Sequence, residues 1–156
     1  MAKSVTELPL EIPKGLTKRQ RAEIADLVIE YMVDRTLSGK DAEGKRFPKY
    51  SKSYTESLDF KNAGKSKKVN LQLSGDMLAA IDLLKDQDGK IVVGIDPKSD
   101  EAGRAEGNIL GSYGGDPDPK KARNFLGIDK KRLNKIIDMV VSEGGDPGAV
   151  EALRGR

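Results

Sequence analysis

The sequence predicts an α+β fold: an antiparallel sheet built on a central hairpin, packed with a long N-terminal helix and a C-terminal helix, plus an extended N-terminal arm and long loops. Three observations carry that expectation. First, Ile24, Leu27, Val28, Tyr31 and Met32 recur at helical spacing behind Thr17, with Gln20 three residues on. That is a capping box, in which each side chain satisfies an orphan backbone N–H of the other residue. Second, Leu133, Ile136, Ile137 and Val140 give the i, i+3, i+4, i+7 stripe of another amphipathic helix. Third, Asp88-Gly89 between two apolar runs is a two-residue hairpin signal, because glycine accepts positive φ.

Taken in order, residues 1–16 read as an extended arm, broken by Pro9, Pro13 and Gly15, whose alternating Leu8, Leu10 and Ile12 suit a strand added to some sheet. A single α+β domain is expected over 17–143. Its first helix stops at Ser38-Gly39. A polar loop over 39–52 turns at Gly44 and is anchored by Phe47-Pro48 and Tyr50, and Ser53 caps a short helix through Leu58. "KNAGKSKK" (61–68) reads as a polar tip. Ser74-Gly75 opens a half-turn, strands follow near 78–86 and 90–95 with Ile91, Val93 and Ile95 on one face, and Asp100 to Leu110 reads as a helix despite Gly103 and Gly107. "GSYGGDPDP" is a loop. Asp129 is the N-cap of the last helix, with Ile128 and Leu133 as its hydrophobic staple, and Gly144-Gly145 ends it. Residues 144–156 form a short C-terminal tail or helix.

At 156 residues the chain suits one domain with one modest core. It has no Cys and no His, which excludes thiolate and imidazole metal sites, cysteine nucleophiles and every histidine-based triad. A hydrolase here has only carboxylates, lysines or a bound magnesium to work with, and nothing in the sequence singles out a carboxylate pair. "DQDG" fails as a calcium loop, because Gly89 stands fourth from Asp86 where such a loop needs glycine sixth and Glu twelfth. "GNILGSYGG" lacks the spacing of a phosphate loop. The expectation is therefore no enzyme, no catalytic residues, no metal and no cofactor. "MAKSVTELPLEIPKG" has no apolar core of the signal-peptide kind, no apolar run reaches the roughly 18 residues that cross a membrane, and the absence of cysteine fits a reducing compartment. A cytoplasmic protein with no membrane association is expected.

Charge is uneven. Residues 1–70 hold 15 Lys+Arg against 10 Asp+Glu, and 71–156 hold 13 against 15. Lys45, Arg46, Lys49, Lys52, Lys61, Lys65, Lys67 and Lys68 concentrate the excess, opposed over 45–68 only by Glu56 and Asp59. Such a stretch is either a solvated surface or a contact for phosphates or an acidic protein face. Its interleaved aromatics, Phe47, Tyr50, Tyr54 and Phe60, suit base stacking or anchoring in a core.

"ARNFLGIDKKR" (122–132) poses a sharper question. Phe125 and Leu126 either fold back into the core, with Gly127 permitting the turn into the last helix, or form an edge that docks on a neighbouring subunit. Lys130, Lys131 and Arg132 crowd a first turn where the helix dipole prefers anions. A partner's carboxylates would turn that penalty into attraction.

Three segments together resemble one family. "GKDAEGKRFPKYSKSYTES", "LQLSGDMLAAI" followed by "GKIVVGI", and "AEGNILGSYG" followed by "ARNFLGID" are similar in order and spacing to the motifs of bacteriophage virion morphogenesis and tail completion proteins. The likeness runs from about Thr17 to Val141. It implies a small structural α+β protein of the phage neck or tail end, located in the virion and assembled in the host cytoplasm. Such a protein acts in tail completion or head-tail joining, as one subunit of a homo-oligomeric ring around the DNA channel. Its partners are adjacent phage neck or tail proteins, with non-specific contact to packaged DNA. On this reading Arg123, Phe125, Leu126, Gly127, Lys130, Lys131 and Arg132 lie at a subunit seam, and the basic loops face DNA or a neighbouring ring. The competing expectation is a small basic nucleic-acid-binding protein that uses residues 45–68.

Overall fold

The computed structural model describes residues 5–47, 75–112, 116–118, 120 and 122–143. Among them, in chain order, are β1 (Glu7–Glu11), α1 (Lys18–Leu37), α2 (Gly75–Ala79), β2 (Asp82–Gln87), β3 (Lys90–Gly94), α3 (Ala102–Leu110) and α4 (Lys130–Glu143). The three strands form one antiparallel sheet in the order β1-β3-β2. The fold is α+β, with α1 laid against β2, β3 and α4.

α1 begins as its sequence requires. Thr17 Oγ1 accepts the Gln20 N–H and Gln20 Oε1 accepts the Thr17 N–H, so the capping box is closed. Its buried face, Ile24, Val28 and Met32, meets Leu10, Ile91, Val93 and Ile95 of the sheet and Leu133, Ile136, Ile137 and Val140 of α4 in a single core. Ser38 is the C-cap, and Gly39 turns the chain at φ 85°.

The arm joins the domain. Residues 7–11 are the sheet's own edge strand, with Pro9 opposite Val92, so the extended segment belongs to the same core as the hairpin. The Ile95 N–H donates to Thr6 O and the Ile12 N–H to Gly89 O, so even-numbered residues bond inward. Pro9, which has no N–H, faces the free edge, where strand prolines are tolerated. Thr6 Oγ1 adds a buried bond to Ile95 O, and Asp88 accepts the Gly15 N–H, tying the arm to both ends of β3.

The hairpin turns at Asp88-Gly89, with Gly89 at φ 82°. Its first strand starts later than the sequence suggests. Residues 75–79 are a helical turn, the Ile81 N–H still donates to Leu78 O, and Met77, Leu78 and Ile81 all point into the core. Such a short apolar run carries too few residues to separate the two periods. A bulge between Leu83 and Lys85 then kinks β2, a common way of blunting a free edge. The expectations for Tyr50, the Ser53 helix, the 61–68 tip and the 144–156 tail lie outside the described residues.

Candidate functional site

The segments that pose the functional question meet at the C-terminal end of α1. Val28, Met32 and Arg35 fall at i, i+4 and i+7, so Arg35 occupies the next position of the core stripe. Only 9% of it is exposed. Its Nη2 donates to Phe125 O at 2.7 Å and its Nη1 to Gly127 O at 2.6 Å. Residues 122–129 run outside any strand or helix, so these carbonyls have no ladder to join. A guanidinium fork supplies two donors at once, which a lysine ammonium cannot do in that geometry. Burial lowers the Arg35 pKa from its ordinary value, while Tyr31, Asp41 and Asp129 pull the other way. The Arg35 guanidinium lies 5.6 Å from the centre of the Tyr31 ring, and that of Arg132 lies 5.0 Å from it.

The 39–47 loop closes on the same place. The Lys40 N–H donates to Arg35 O. Asp41 Oδ1 accepts the Glu43 and Lys45 N–H groups, both at 2.9 Å, which lets a short polar side chain replace a strand partner through the Gly44 turn. Lys40 pairs with Arg46 across the loop, and the buried Phe47 anchors it, its N–H bonded to Gly39 O. The Ala42 N–H donates to Asn124 O at 2.9 Å. A methyl group added to Gly127 would stand 2.6 Å from Ala42 Cβ. On the far side the Arg123 N–H donates to Asn108 O, and the Asn108 amide donates to Arg104 O and touches Met77 Sδ. Stretches far apart in sequence are thus joined, 39–47 and 105–112 each to 122–127 by a main-chain bond, and 75–81 to 105–112 through the Asn108 side chain.

These contacts sort the seam residues. Phe125 is 0% and Leu126 5% exposed, so both are core residues of the chain itself and offer no exposed apolar edge. Gly127 is required for close approach to Ala42, and its φ lies outside the left-handed region, so what it supplies before the last helix is room. Arg123 is half-buried, as is Arg132 over Tyr31, while Lys130 and Lys131 stand exposed on the first turn of α4. Asp129 caps that helix by accepting the Arg132 N–H at 2.7 Å. Of the basic stretch, Lys45 and Arg46 are exposed, Lys45 with its ammonium 3.4 Å from Glu43. Lys49, Lys52, Lys61, Lys65, Lys67 and Lys68 lie outside the described residues. Sequence reasoning missed Arg35, Tyr31, Ala42 and Asn108. The register of Arg35 with Val28 and Met32 was the one signal that pointed to it.

Elsewhere, Glu7, Pro9, Lys85, Gln87, Lys90 and Val92 line a shallow depression of about 110 Å³ on the outer face of the sheet. Among the described residues no three acidic side chains stand close enough to share a metal ion, and no helix is long and apolar enough to cross a membrane. No family model, no curated protein and no solved structure matches the chain.

Proposed function

We propose that this chain is a structural virion subunit of the phage neck or tail end, which assembles into a ring around the DNA channel in tail completion or head-tail joining. The observation that carries the reading is the convergence on Arg35. The segments whose motifs resemble tail completion proteins are spread over some ninety residues, yet the described parts of three of them, 39–47, 105–112 and 122–129, are bonded to one another at one end of the fold. The residues they contribute there are a glycine for close approach, a buried phenylalanine and carbonyls held by a guanidinium. These serve shape and rigidity, which a ring subunit needs, and the reading assigns the chain no catalytic step, metal or cofactor. Its partners are copies of itself and the adjacent neck or tail proteins.

Mass photometry and negative-stain imaging of the purified protein, alone and mixed with isolated tails or DNA-filled heads, test the reading. Closed rings with a central opening, or end-on decoration of tails or head portals, are expected. A protein that stays monomeric, decorates neither particle and binds free duplex DNA overturns it in favour of the small nucleic-acid-binding alternative. The neighbouring genes supply an independent check: genes for other virion structural proteins are expected beside this one.

A further inference from the structure

The fold makes one surface out of two basic segments that the sequence keeps some eighty residues apart. The 39–47 loop abuts the 124–127 strap through the Ala42–Asn124 bond and the Ala42–Gly127 contact, and the strap leads directly into α4. Lys40, Lys45 and Arg46 of the loop are therefore brought to the same end of the molecule as Lys130 and Lys131, all five exposed, with Arg123 and Arg132 half-buried among them. These seven cations face three anions, Asp41, Glu43 and Asp129. Over the other described residues taken together, acidic side chains outnumber basic ones. The first turn of α4 contains no acidic residue, so the positive end of its dipole adds to the field.

We propose that this composite face, Lys40, Lys45, Arg46, Lys130 and Lys131, binds the phosphate backbone of double-stranded DNA without regard to base sequence. Two observations favour phosphate over an acidic protein. A protein interface is centred on desolvated apolar or aromatic side chains. Here Phe47, Phe125 and Leu126 are turned into the core, and of the large apolar side chains exposed among the described residues, Val5, Leu37 and Val141, none belongs to the 39–47 loop, the 124–127 strap or the first turn of α4. The two groups of cations are also held in fixed relation by Arg35 and the loop–strap contacts. Cations carried on such a linked backbone contact phosphates without reading base edges. The face is what the proposed ring subunit would turn toward packaged DNA, and to that extent the inference rests on that reading.

The test is fluorescence anisotropy of a labelled mixed-sequence duplex, titrated with the full-length protein over a range of salt. Five phosphate contacts give a log–log salt slope of about −4.5, or about a hundredfold loss of affinity between roughly 50 and 150 mM salt. Replacing the loop set (Lys40→Ser, Lys45→Ser and Arg46→Ser) should leave a slope of about −2, and replacing the helix set (Lys130→Ser and Lys131→Ser) about −3. A control pair at the opposite end of α1, Lys18→Ser with Arg19→Ser, should leave slope and affinity unchanged. Thermal melts verify that every variant is folded. A control pair as damaging as either set, a slope indifferent to one of the sets, or tighter binding of poly-glutamate than of duplex at equal salt overturns the proposal, the last by pointing to an acidic protein. Particle mass is measured in the same buffers. Rings without DNA binding sink the face alone, and DNA binding by a strict monomer sinks the ring alone.

Discussion

Arg35 is the residue whose removal reports most directly on how this fold is held. Arg35→Met keeps most of the aliphatic stem in the core stripe and deletes both donors to the 125–127 strap. Each orphaned carbonyl costs about 1–3 kcal/mol, because a buried acceptor without a donor keeps its full desolvation penalty. Against that, the folded state no longer has to dehydrate a cation, the effect that lowers the Arg35 pKa. The net expectation is a loss of about 2–4 kcal/mol, a large part of the ~5–15 kcal/mol typical of a domain and roughly 5–15 °C in melting temperature at this chain length. Arg35→Lys keeps the charge but reaches one carbonyl at a time, so about half that loss is expected.

The assay is chemical denaturation combined with amide exchange. In Arg35→Met the Ala42 amide, which donates to Asn124 O, should exchange faster than global unfolding allows, while Ile91 and Val93 in the central strand should exchange only with global unfolding. The pH dependence follows from the sign of the shift. A cation whose folded pKa is depressed binds fewer protons when folded, so its linkage raises stability with pH only in the alkaline window between that lowered value and the ordinary arginine value. Below that window, down to neutral pH, the gap between parent and Arg35→Met should be flat. If Arg35→Met lies within about 0.5 kcal/mol of the parent, as a neutral surface change does, or leaves Ala42 as protected as before, the strap is not held by this guanidinium.

Gly127→Ala should cost about 1–3 kcal/mol by pressing a methyl against Ala42 Cβ, and Ala42→Gly in that background should restore most of it in a double-mutant cycle; additive losses would mean the contact is not the cause. Phe125→Ala should cost about 3–5 kcal/mol in urea melts, since the ring is fully buried; a variant that melts normally yet fails to assemble would return Phe125 to a subunit seam. Thr6→Val, which removes the hydroxyl that donates to Ile95 O, should cost about 1–2 kcal/mol and speed exchange at the β1 edge before the hairpin; equal protection in the parent and the variant would show that the bond is not needed to hold the strand.

What the sequence made legible was what is local. The capping box of α1, the Asp88-Gly89 turn and the Asp129 cap each depend on residues within four positions of one another, and each is found as read. The beginning of β2 depends on whether Met77, Leu78 and Ile81 pack as a helical turn or a strand, which tertiary contacts decide. The bulge at Leu84 has no residue-level signature. At the candidate site, the charge and the peculiarity of "RNFLGIDKKR" were visible, but the partners were not. An arginine in the last turn of a helix ordinarily offsets the dipole at the surface. That Arg35 instead turns inward follows from bonds to residues ninety positions away, and the same distance hid the contact of Gly127 with Ala42.

The three cations on the first turn of α4 separate into two kinds once their surroundings are known. Each opposes the dipole by about 0.3–1 kcal/mol when exposed. For Arg132 the fold itself supplies an offset: its guanidinium lies 5.0 Å from the centre of the Tyr31 ring, an attraction of about 0.5–1 kcal/mol even where water has access. Tyr31 in turn stands beside Arg35, so Arg132 belongs to the group that fixes the strap, and Asp129 balances part of the charge. Lys130 and Lys131 take no part in that packing. They remain a small cost to the isolated subunit, placed on an exposed helix end next to the three cations of the 40–46 loop. Glutamates there would cap the helix better and weaken the field. On the proposed reading an anion outside the subunit offsets that cost, and the exposed lysines, rather than the buried phenylalanine, are where it would bind.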